Sequence, residues 1–368
     1  MKVNFLDLKA QYLSIKAEID EAILAVLNKS AFAAGPFVKS FETNFAQRQG
    51  AKFCVGVNNG TAALHAAMMA LNIGPGDEVI VPANTFFATP EAVSLSGATP
   101  VFVDCESRYY NIDPNKIEGA ITKKTRAIIA VHLYGQPAQA DEVKKISDKH
   151  GLLLIEDCAQ SHLAELNGRP TGTFGVCGCF SFYPGKNLGA YGEGGAVITN
   201  DETLYNKLMM IRDHGSAKKY YHDLIGHNYR LEGLQGAILD VKLRHLDAWT
   251  ETRRRNADAY RRELAECSEI VVPEEMAGAK HVYHLFVIRS KQRDALQKYL
   301  QENEVYTGIH YPIPCHLQKA YASLNYARGA FPVSEAYADE ILSLPMSEML
   351  KEEEIAFTAK TIKAFFAK

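Results

Sequence analysis

The chain has 368 residues, of which 47% are hydrophobic and 23% charged, and its formal net charge is −3 at pH 7. A chain of this length can bury a large core without help from disulfides or a structural metal. The near-neutral charge, with lysine and arginine spread along the chain, argues against nucleic-acid binding. No run is as long and apolar as a membrane span, and the N-terminus lacks the apolar stretch of a signal peptide. The seven cysteines form no disulfide framework, so we expect a cytoplasmic protein.

The first part of the chain alternates β-rich runs with helical segments, which favours an α/β fold with a mainly parallel central sheet flanked by helices. Continuous apolar runs in it are typical of strands that are buried on both faces. The predicted strands cover 53–57, 78–81, 99–103, 127–131, 152–156, 179–182 and 195–199. The predicted helices cover 61–71, 88–95, 140–150 and 201–212.

The chain changes character after the predicted sheet. One long helix is predicted over 234–260, and behind it come two strand-like runs, 282–289 and 305–310, with terminal helices. We therefore divide the chain into a large region, residues 1–250, and a smaller C-terminal α+β region, residues 251–368.

No metal site and no common nucleotide-binding loop is predicted. His281 and His284 fall in one predicted strand, where residues three apart point to opposite faces and cannot share a metal. Cys177 and Cys179 lack a second cysteine or histidine pair at zinc spacing. Neither a G-x-G-x-x-G turn that opens a helix nor a P-loop occurs.

Four segments with functional side chains each follow a predicted strand or lead into the long helix. Residues 58–64 place Gly-Thr at a helix start, where free N–H groups can bind phosphate, although an ordinary N-cap is the commoner use. In residues 156–162, an apolar strand delivers Asp157 to the sheet edge. A buried carboxylate there needs a cation such as a protonated pyridine nitrogen, and a helix-capping aspartate is the alternative.

The third segment, residues 181–195, carries Lys186 on a glycine-rich stretch between two strands. A lysine that forms a Schiff base must be neutral, and burial can arrange this; a surface lysine is the alternative. The fourth segment, residues 226–235, says little by itself. Because ligands of open α/β sheets bind at the carboxyl ends of the strands, we expect these segments to converge.

The order and the sequence motifs of these segments resemble those of the DegT/DnrJ/EryC1/StrS sugar aminotransferases, which have the pyridoxal-phosphate (PLP) fold type I. The resemblance runs from about residue 4 to the C-terminus. It is carried by Gly-Thr-Ala-Ala-Leu at 60–64, Gly-x-Gly-Asp-Glu-Val-Ile-Val-Pro at 74–82, Glu-Asp-x-Ala-Gln at 156–160, Ser-Phe-Tyr-Pro-x-Lys-Asn at 181–187 and Asn-x-Arg at 228–230.

The resemblance implies a set of PLP-binding residues. Lys186 is expected to bind PLP as a Schiff base and to move a proton between the substrate carbon and the cofactor. Asp157 is expected to pair with the pyridinium nitrogen. The other implied residues are Gln160 near the ring hydroxyl, Phe86 (or Phe87) stacked on the ring, and a phosphate site of Gly60, Thr61, Ala62, Ser181 and Asn228. Asn228 is expected to come from the partner subunit, which implies a homodimer with shared active sites.

The resemblance also implies the substrates. L-Glutamate would convert PLP to pyridoxamine phosphate, which would then aminate a nucleotide-linked keto sugar. The motifs are most similar to those of enzymes that act on C3 of dTDP-3-keto-6-deoxyhexoses and give dTDP-3-amino-3,6-dideoxyhexoses. Amination at C4 is the alternative, and uridine or guanosine carriers stay open. Related sugar dehydratases have histidine in place of Lys186, and related regulators carry an additional DNA-binding module, of which this sequence shows no sign.

The predicted substrate-binding residues lie in three parts of the sequence. Next to the cofactor motifs are His162 and Tyr183, and after a predicted strand come Tyr311 and His316. A basic and aromatic stretch, residues 218–222, precedes Asn228 and is expected to bind the diphosphate, with a solvated loop as the alternative. It contributes Lys219, Tyr221 and His222, and Arg230 follows. Ser161, Leu163 and Gly185 depart from the usual family motifs. None of these departures removes a group with an assigned role, but Ser161 and Leu163 are expected to alter the floor of the sugar pocket.

Overall fold

The computed structural model describes residues 1–367. The described helices are α1 (Leu8–Ser14), α2 (Lys16–Lys29), α3 (Pro36–Arg48), α4 (Gly60–Ala70), α5 (Ala88–Leu95), α6 (Pro114–Ile117), α7 (Ala140–His150), α8 (Glu202–Ile211), α9 (Gly233–Leu264), α10 (Arg293–Glu302), α11 (Pro332–Glu340) and α12 (Glu352–Phe366). The described strands are β1 (Phe53–Val57), β2 (Glu78–Pro82), β3 (Thr99–Val103), β4 (Thr125–Val131), β5 (Leu153–Asp157), β6 (Glu165–Leu166), β7 (Arg169–Pro170), β8 (Cys177–Ser181), β9 (Gly195–Thr199), β10 (Ser216–Lys218), β11 (Tyr221–His222), β12 (Ala279–Lys280), β13 (Phe286–Arg289) and β14 (Ile341–Leu344).

A seven-stranded sheet with the order β1-β9-β8-β5-β4-β2-β3 forms the centre of the molecule. The pairs β5–β8, β4–β5, β2–β4 and β2–β3 are parallel, and β9 is antiparallel to both of its neighbours. All strands of this sheet except β9 therefore point the same way. The α/β fold with a mainly parallel sheet is confirmed, and the carboxyl ends of these strands meet at one edge.

The helices and strands of this region follow from local sequence signals. The strands are apolar on both faces because helices cover both sides, and every residue of β9 is buried. Asn59 caps α4 by accepting a hydrogen bond from the N–H of Ala62 at 2.7 Å. Gly151 ends α7 with a φ of 64°, a left-handed conformation that favours glycine. Each predicted strand and helix of the sheet region is present, with bounds that agree to within about two residues.

A second hydrophobic core lies beside the sheet region. The C-terminal part of α9, the strand pair β13–β14 and α12 contribute buried side chains to it, and Val3 from the N-terminus joins them. The long helix is confirmed, and it runs without interruption across position 250. The division into residues 1–250 and 251–368 stays a prediction. None of the described helices is long and apolar enough to cross a membrane.

Two predicted strands behind α9 differ from the structure. The run 305–310 forms no continuous strand because Val305 pairs with Val3 whereas Gly308 pairs with Ser343. Two different partners, each at one residue, cannot make a ladder. The run 282–289 is a strand only over β13, because its first half turns away to pair with Tyr134 and Gly135. His281 and His284 therefore lie in an irregular segment before β13 and not, as predicted, in a strand.

Candidate active site

A cavity of about 1060 Å³ opens at the carboxyl-end edge of the sheet. Its walls come from the starts of α4 and α5, the ends of β5 and β8, and loops of the C-terminal region. The structure brings ten of the predicted site residues into this cavity, namely Gly60, Thr61, Ala62, Phe86, Asp157, Gln160, Ser181, Tyr183, Lys186 and Tyr311.

Asp157, the last residue of β5, forms part of the cavity floor. Its Oδ2 accepts a hydrogen bond from Thr89 Oγ1 at 2.7 Å, and its Oδ1 accepts one from the N–H of Ala159 at 3.1 Å. Burial raises the pKa of this carboxyl, and the two donors together with the nearby Lys186 partly oppose the rise. A carboxylate in such a place is stabilised by a cationic partner in the cavity.

Lys186 lies on the loop between β8 and β9. The N–H of Lys186 bonds to the carbonyl of Tyr183 at 2.9 Å, which forms a turn. The amine Nζ has no hydrogen-bond or ion-pair partner among residues 1–367. Burial lowers its pKa to about 8, while the negative charge of Asp157 acts in the opposite direction. A substantial fraction of the amine is therefore neutral near physiological pH and can attack a carbonyl carbon.

The loop around Lys186 is held from below by α9. Lys242 of α9 is buried, and its Nζ donates a hydrogen bond to the carbonyl of Gly189 at 2.7 Å. The same ammonium lies over the ring of Tyr191, 4.2 Å from its centre. Asn187 donates from Nδ2 to the carbonyl of Val282 at 2.9 Å. These contacts fix the position of Lys186 in the cavity.

The start of α4 makes an opening that fits an anion. The first N–H groups of a helix have no partner within the helix, and the helix dipole favours negative charge there. A Cβ at Gly60 would lie 2.6 Å from the Cβ of Ser181, so only glycine lets the helix start approach β8 this closely. The N–H groups of Gly60 and Thr61 and the Ser181 hydroxyl can serve a phosphate together.

Gln160 and two tyrosines form a fixed group at the side of the cavity. Gln160 Oε1 accepts from the N–H of Tyr134 at 2.6 Å, and its Nε2 donates to the hydroxyl of Tyr311 at 3.1 Å. These two bonds set the orientation of the amide. Phe86 is half exposed to the cavity, and its ring lies 5.3 Å from that of Tyr311. Its face is available to a flat ligand.

The structure adds residues that the sequence analysis missed. Phe5 lines the cavity and stacks on His310, because the pairing of Val3 with Val305 brings the N-terminus there. His284 also lines the cavity, with its Nδ1 3.3 Å from Asn187 Oδ1. Burial lowers the pKa of His310 to about 4, so its ring is neutral. No local motif marks these positions, since each depends on a contact between distant parts of the chain.

Two predicted substrate-binding histidines lie behind the cavity and do not line it. His162 is buried among phenylalanines, its Nε2 is 3.0 Å from the carbonyl of Ser181, and burial lowers its pKa to about 3. His316 is buried and lies 3.0 Å from the carboxylate of Glu335. Of the three residues that depart from the family motifs, Ser161 and Leu163 are also outside the cavity, whereas Gly185 lines it.

The remaining predicted residues lie outside the cavity of their own chain. Lys219, Tyr221 and His222 are exposed on the short β10–β11 hairpin, where the neighbouring Tyr220 is 81% exposed. Asn228 is exposed as well, and its backbone pairs with Asp213. Arg230 forms an ion pair with Asp213. We call residues 216–230 the rim segment.

One buried group resembles a metal site by distance. Among the described residues, His132, Glu156 and Cys158 bring potential ligand atoms within 4.8 Å of one another. Glu156 already accepts hydrogen bonds from His132 and from the N–H groups of Gly172 and Gly175. His132 Nδ1 accepts from the N–H of Ala138 at 2.9 Å. These bonds occupy the atoms that a metal would need, so we assign the group to structure.

A search against known protein families matches residues 13–363 to the DegT/DnrJ/EryC1/StrS aminotransferase family. The chain belongs to this family. The predicted enzyme class, a PLP-dependent aminotransferase, is thereby confirmed together with its cofactor.

Two relatives and one solved structure match this chain over 99% or more of its length. It is 47% identical over 368 residues to a "Pleiotropic regulatory protein" of Geobacillus stearothermophilus, and the match covers 100% of this chain and 99% of the relative. It is 45% identical over 363 residues, 99% of each chain, to dTDP-3-amino-3,6-dideoxy-α-D-galactopyranose transaminase of Aneurinibacillus thermoaerophilus. The crystal structure of Streptomyces venezuelae DesV in complex with a ketimine intermediate has a TM-score of 0.98 and 42% identity, and the match covers 100% of this chain and 99% of DesV.

Proposed function

We propose that this protein is a homodimeric aminotransferase that moves the amino group of L-glutamate onto C3 of a dTDP-linked 3-keto-6-deoxyhexose. The product would be a dTDP-3-amino-3,6-dideoxyhexose. The observation that carries the proposal is the unpartnered amine of Lys186, with its pKa lowered to about 8, on the same cavity floor as the buried Asp157. The Aneurinibacillus relative, with its printed sugar, supports the substrate.

The residues of the cavity fit PLP. We propose that Lys186 is its covalent attachment point, that Asp157 faces its ring nitrogen, and that Gln160 serves its ring hydroxyl. Gly60, Thr61, Ala62 and Ser181 would hold the phosphate, and Phe86 would stack on the ring. When bound, PLP supplies an electron sink that stabilises negative charge at the substrate carbon.

Two side chains would then manage the protons of the reaction. Lys186 Nζ, once free of the cofactor, can take a proton from the substrate carbon and deliver it to C4′ of the cofactor, because its lowered pKa suits both steps. Asp157 keeps the ring nitrogen protonated by supplying the opposite charge in a buried place.

The charges of the cavity support a dimer. Among residues 1–367, Lys186 is the one lysine or arginine that lines the cavity, whereas Asp157, Glu91 and Glu193 are acidic. The site must nevertheless bind the PLP phosphate, a nucleotide diphosphate and the carboxylates of glutamate. We infer that the additional cations, and Asn228, come from the rim segment of a partner subunit.

We propose separate roles for the remaining predicted residues. Tyr183 and Tyr311, which line the cavity, would contact the sugar, and Lys219, Tyr221, His222 and Arg230 of the rim segment would serve the diphosphate. His162 would support Ser181 from behind, and His316 would hold Glu335. The cytoplasmic location stays a proposal; it is supported by all seven cysteines being free and buried.

The reaction can be tested in its reverse direction, because amino sugars are stable substrates. The purified holoenzyme is incubated with 2-oxoglutarate and one of four amino sugars, which carry the amine at C3 or C4 and dTDP or UDP as the carrier. We expect L-glutamate, measured by mass spectrometry, chiefly from the dTDP-linked C3 amine. Glutamate chiefly from the C4 amine would favour the alternative, and none from any sugar would contradict the proposal.

A further inference from the structure

Asp157 has a hydrogen-bond donor that the sequence did not indicate. Thr89, in the first turn of α5, is fully buried, and its hydroxyl lies 2.7 Å from Asp157 Oδ2. An ionised carboxylate can only accept hydrogen bonds, so the hydroxyl proton of Thr89 points to Asp157. The N–H of Ala159 serves the other oxygen. The carboxylate is thus held at both oxygens from the protein side.

A second threonine stands behind the first. Thr85 is also buried, and its Oγ1 lies 2.9 Å from Thr89 Oγ1. Distance alone leaves the donor of this bond open. Because the single proton of Thr89 is already given to Asp157, Thr85 must be the donor. The bonds therefore run in one direction, from Thr85 to Thr89 to Asp157.

We propose that Thr89 is a positioning residue that keeps Asp157 ionised and correctly oriented, and that Thr85 in turn orients Thr89. The inference rests on the proposed role of Asp157 at the ring nitrogen of PLP. A hydrogen bond to the charged form of a carboxyl favours that form. Thr85 and Thr89 flank Phe86, so one short segment would set both the ring-stacking side chain and the partner of the ring nitrogen.

The other titratable groups near Asp157 do not replace this donor. None of them donates a hydrogen bond to its carboxylate among the described residues. They lie on the strands, loops and C-terminal segment packed around it, and they are Lys186, His132, Tyr311, Cys158 and Cys179. Removing the Thr89 hydroxyl would leave Oδ2 without a protein donor.

The test uses isosteric variants of the holoenzyme. Thr89→Val removes the hydroxyl and keeps the shape, so we expect kcat to fall about tenfold to a hundredfold. Thr89→Ser keeps a donor and should stay within about threefold of wild type. Thr85→Val changes only the residue that orients Thr89, so we expect kcat to fall about twofold to fivefold. Thr250→Val is the matched control, because the buried Thr250 hydroxyl of α9 has no partner among the described residues.

A spectroscopic measurement separates positioning from a general loss of packing. We expect the pH midpoint of the absorbance change of bound PLP to move upward in Thr89→Val and to stay in place in Thr89→Ser and Thr250→Val. The reason is that a PLP ring that is less often protonated withdraws less electron density from the nitrogen that links it to Lys186, which raises the pKa of that nitrogen. Where Thr89→Val does not fold, the pair Thr89→Ser and Thr89→Ala makes the same comparison without the methyl group.

The outcomes also distinguish this inference from the role of Asp157. Asp157→Asn should be more damaged than Thr89→Val. A damaged Asp157→Asn beside a Thr89→Val enzyme with the wild-type kcat and pH midpoint would overturn the inference alone. An Asp157→Asn enzyme with normal turnover would instead overturn the proposed role of Asp157. Equal damage in Thr89→Ser and Thr89→Val would show that the hydroxyl is not the cause.

Discussion

The cavity floor and the rim segment differ in whether a single chain supplies partners for their polar side chains. On the floor, Asp157 has donors at both oxygens and the loop of Lys186 is held by α9, and beside it Gln160 is hydrogen-bonded at both ends of its amide. In the rim segment, Lys219 and Asn228 are exposed and do not line the cavity of their own chain, although Tyr229 does. A preorganised floor suits a permanent cofactor. For the rim, we propose that it becomes part of a binding site only against a second subunit.

Loss of Lys186 should have the largest effect on the floor. Lys186→Ala removes both the proposed attachment point of PLP and the proposed proton carrier, so we expect transamination to fall about a thousandfold or more. The measurements are the amino transfer assay and borohydride reduction, which should no longer fix PLP to the protein. Lys123→Ala is the control, because Lys123 is exposed just before β4, at the edge of the sheet opposite the cavity. A fully active Lys186→Ala enzyme would refute this mechanism.

Asp157→Asn should come second. A neutral amide cannot hold the ring proton by opposite charge, so we expect kcat to fall about a hundredfold, which corresponds to about 3 kcal/mol. Circular dichroism should show an unchanged fold, and Asp339→Asn, at an exposed position, serves as the control. Turnover near the wild-type rate would mean that another group serves the ring nitrogen.

The pKa of Lys186 predicts how the apoenzyme captures PLP. The pKa is lowered from 10.5 to about 8, so the amine is mostly charged below pH 8 and neutral above it. We expect the rate of PLP capture to rise about tenfold per pH unit below pH 8 and then to level off. Stopped-flow absorbance measures this rate. A rise that continues without a break to pH 10 would show that burial does not lower the pKa.

The rim segment should show a smaller and more selective effect. Lys219→Ala removes a cation proposed to serve the diphosphate, so we expect KM for the nucleotide sugar to rise about fivefold to tenfold. The half-reaction with L-glutamate should stay nearly unchanged in single-turnover measurements. Lys123→Ala is again the control. Equal damage to both half-reactions would mean that the hairpin supports the cofactor or the dimer instead.

The sequence predicted the floor better than it predicted the walls. Strands such as β1 and β5 are largely apolar runs, and the floor residues at or after their ends follow local motifs, so short-range patterns were sufficient. Thr89 is 68 positions away from Asp157, and the stacking of Phe5 on His310 joins the N-terminus to the C-terminal region. Such contacts leave no local pattern. The strand predicted over 305–310 was wrong for the same reason, because the residue types of a segment do not show which other segments it pairs with.

Mixing two inactive variants tests most directly whether floor and rim of one site come from different chains. Lys186→Ala and Asn228→Ala dimers are dissociated together and reassembled, and native mass spectrometry confirms the heterodimers. If Asn228 serves the partner's site, each heterodimer has one site with both defects and one with neither. An equal mixture should then regain about a quarter of the wild-type activity. Heterodimers without any activity beyond that of the two separate variants would contradict the account and place Asn228 in its own chain's site.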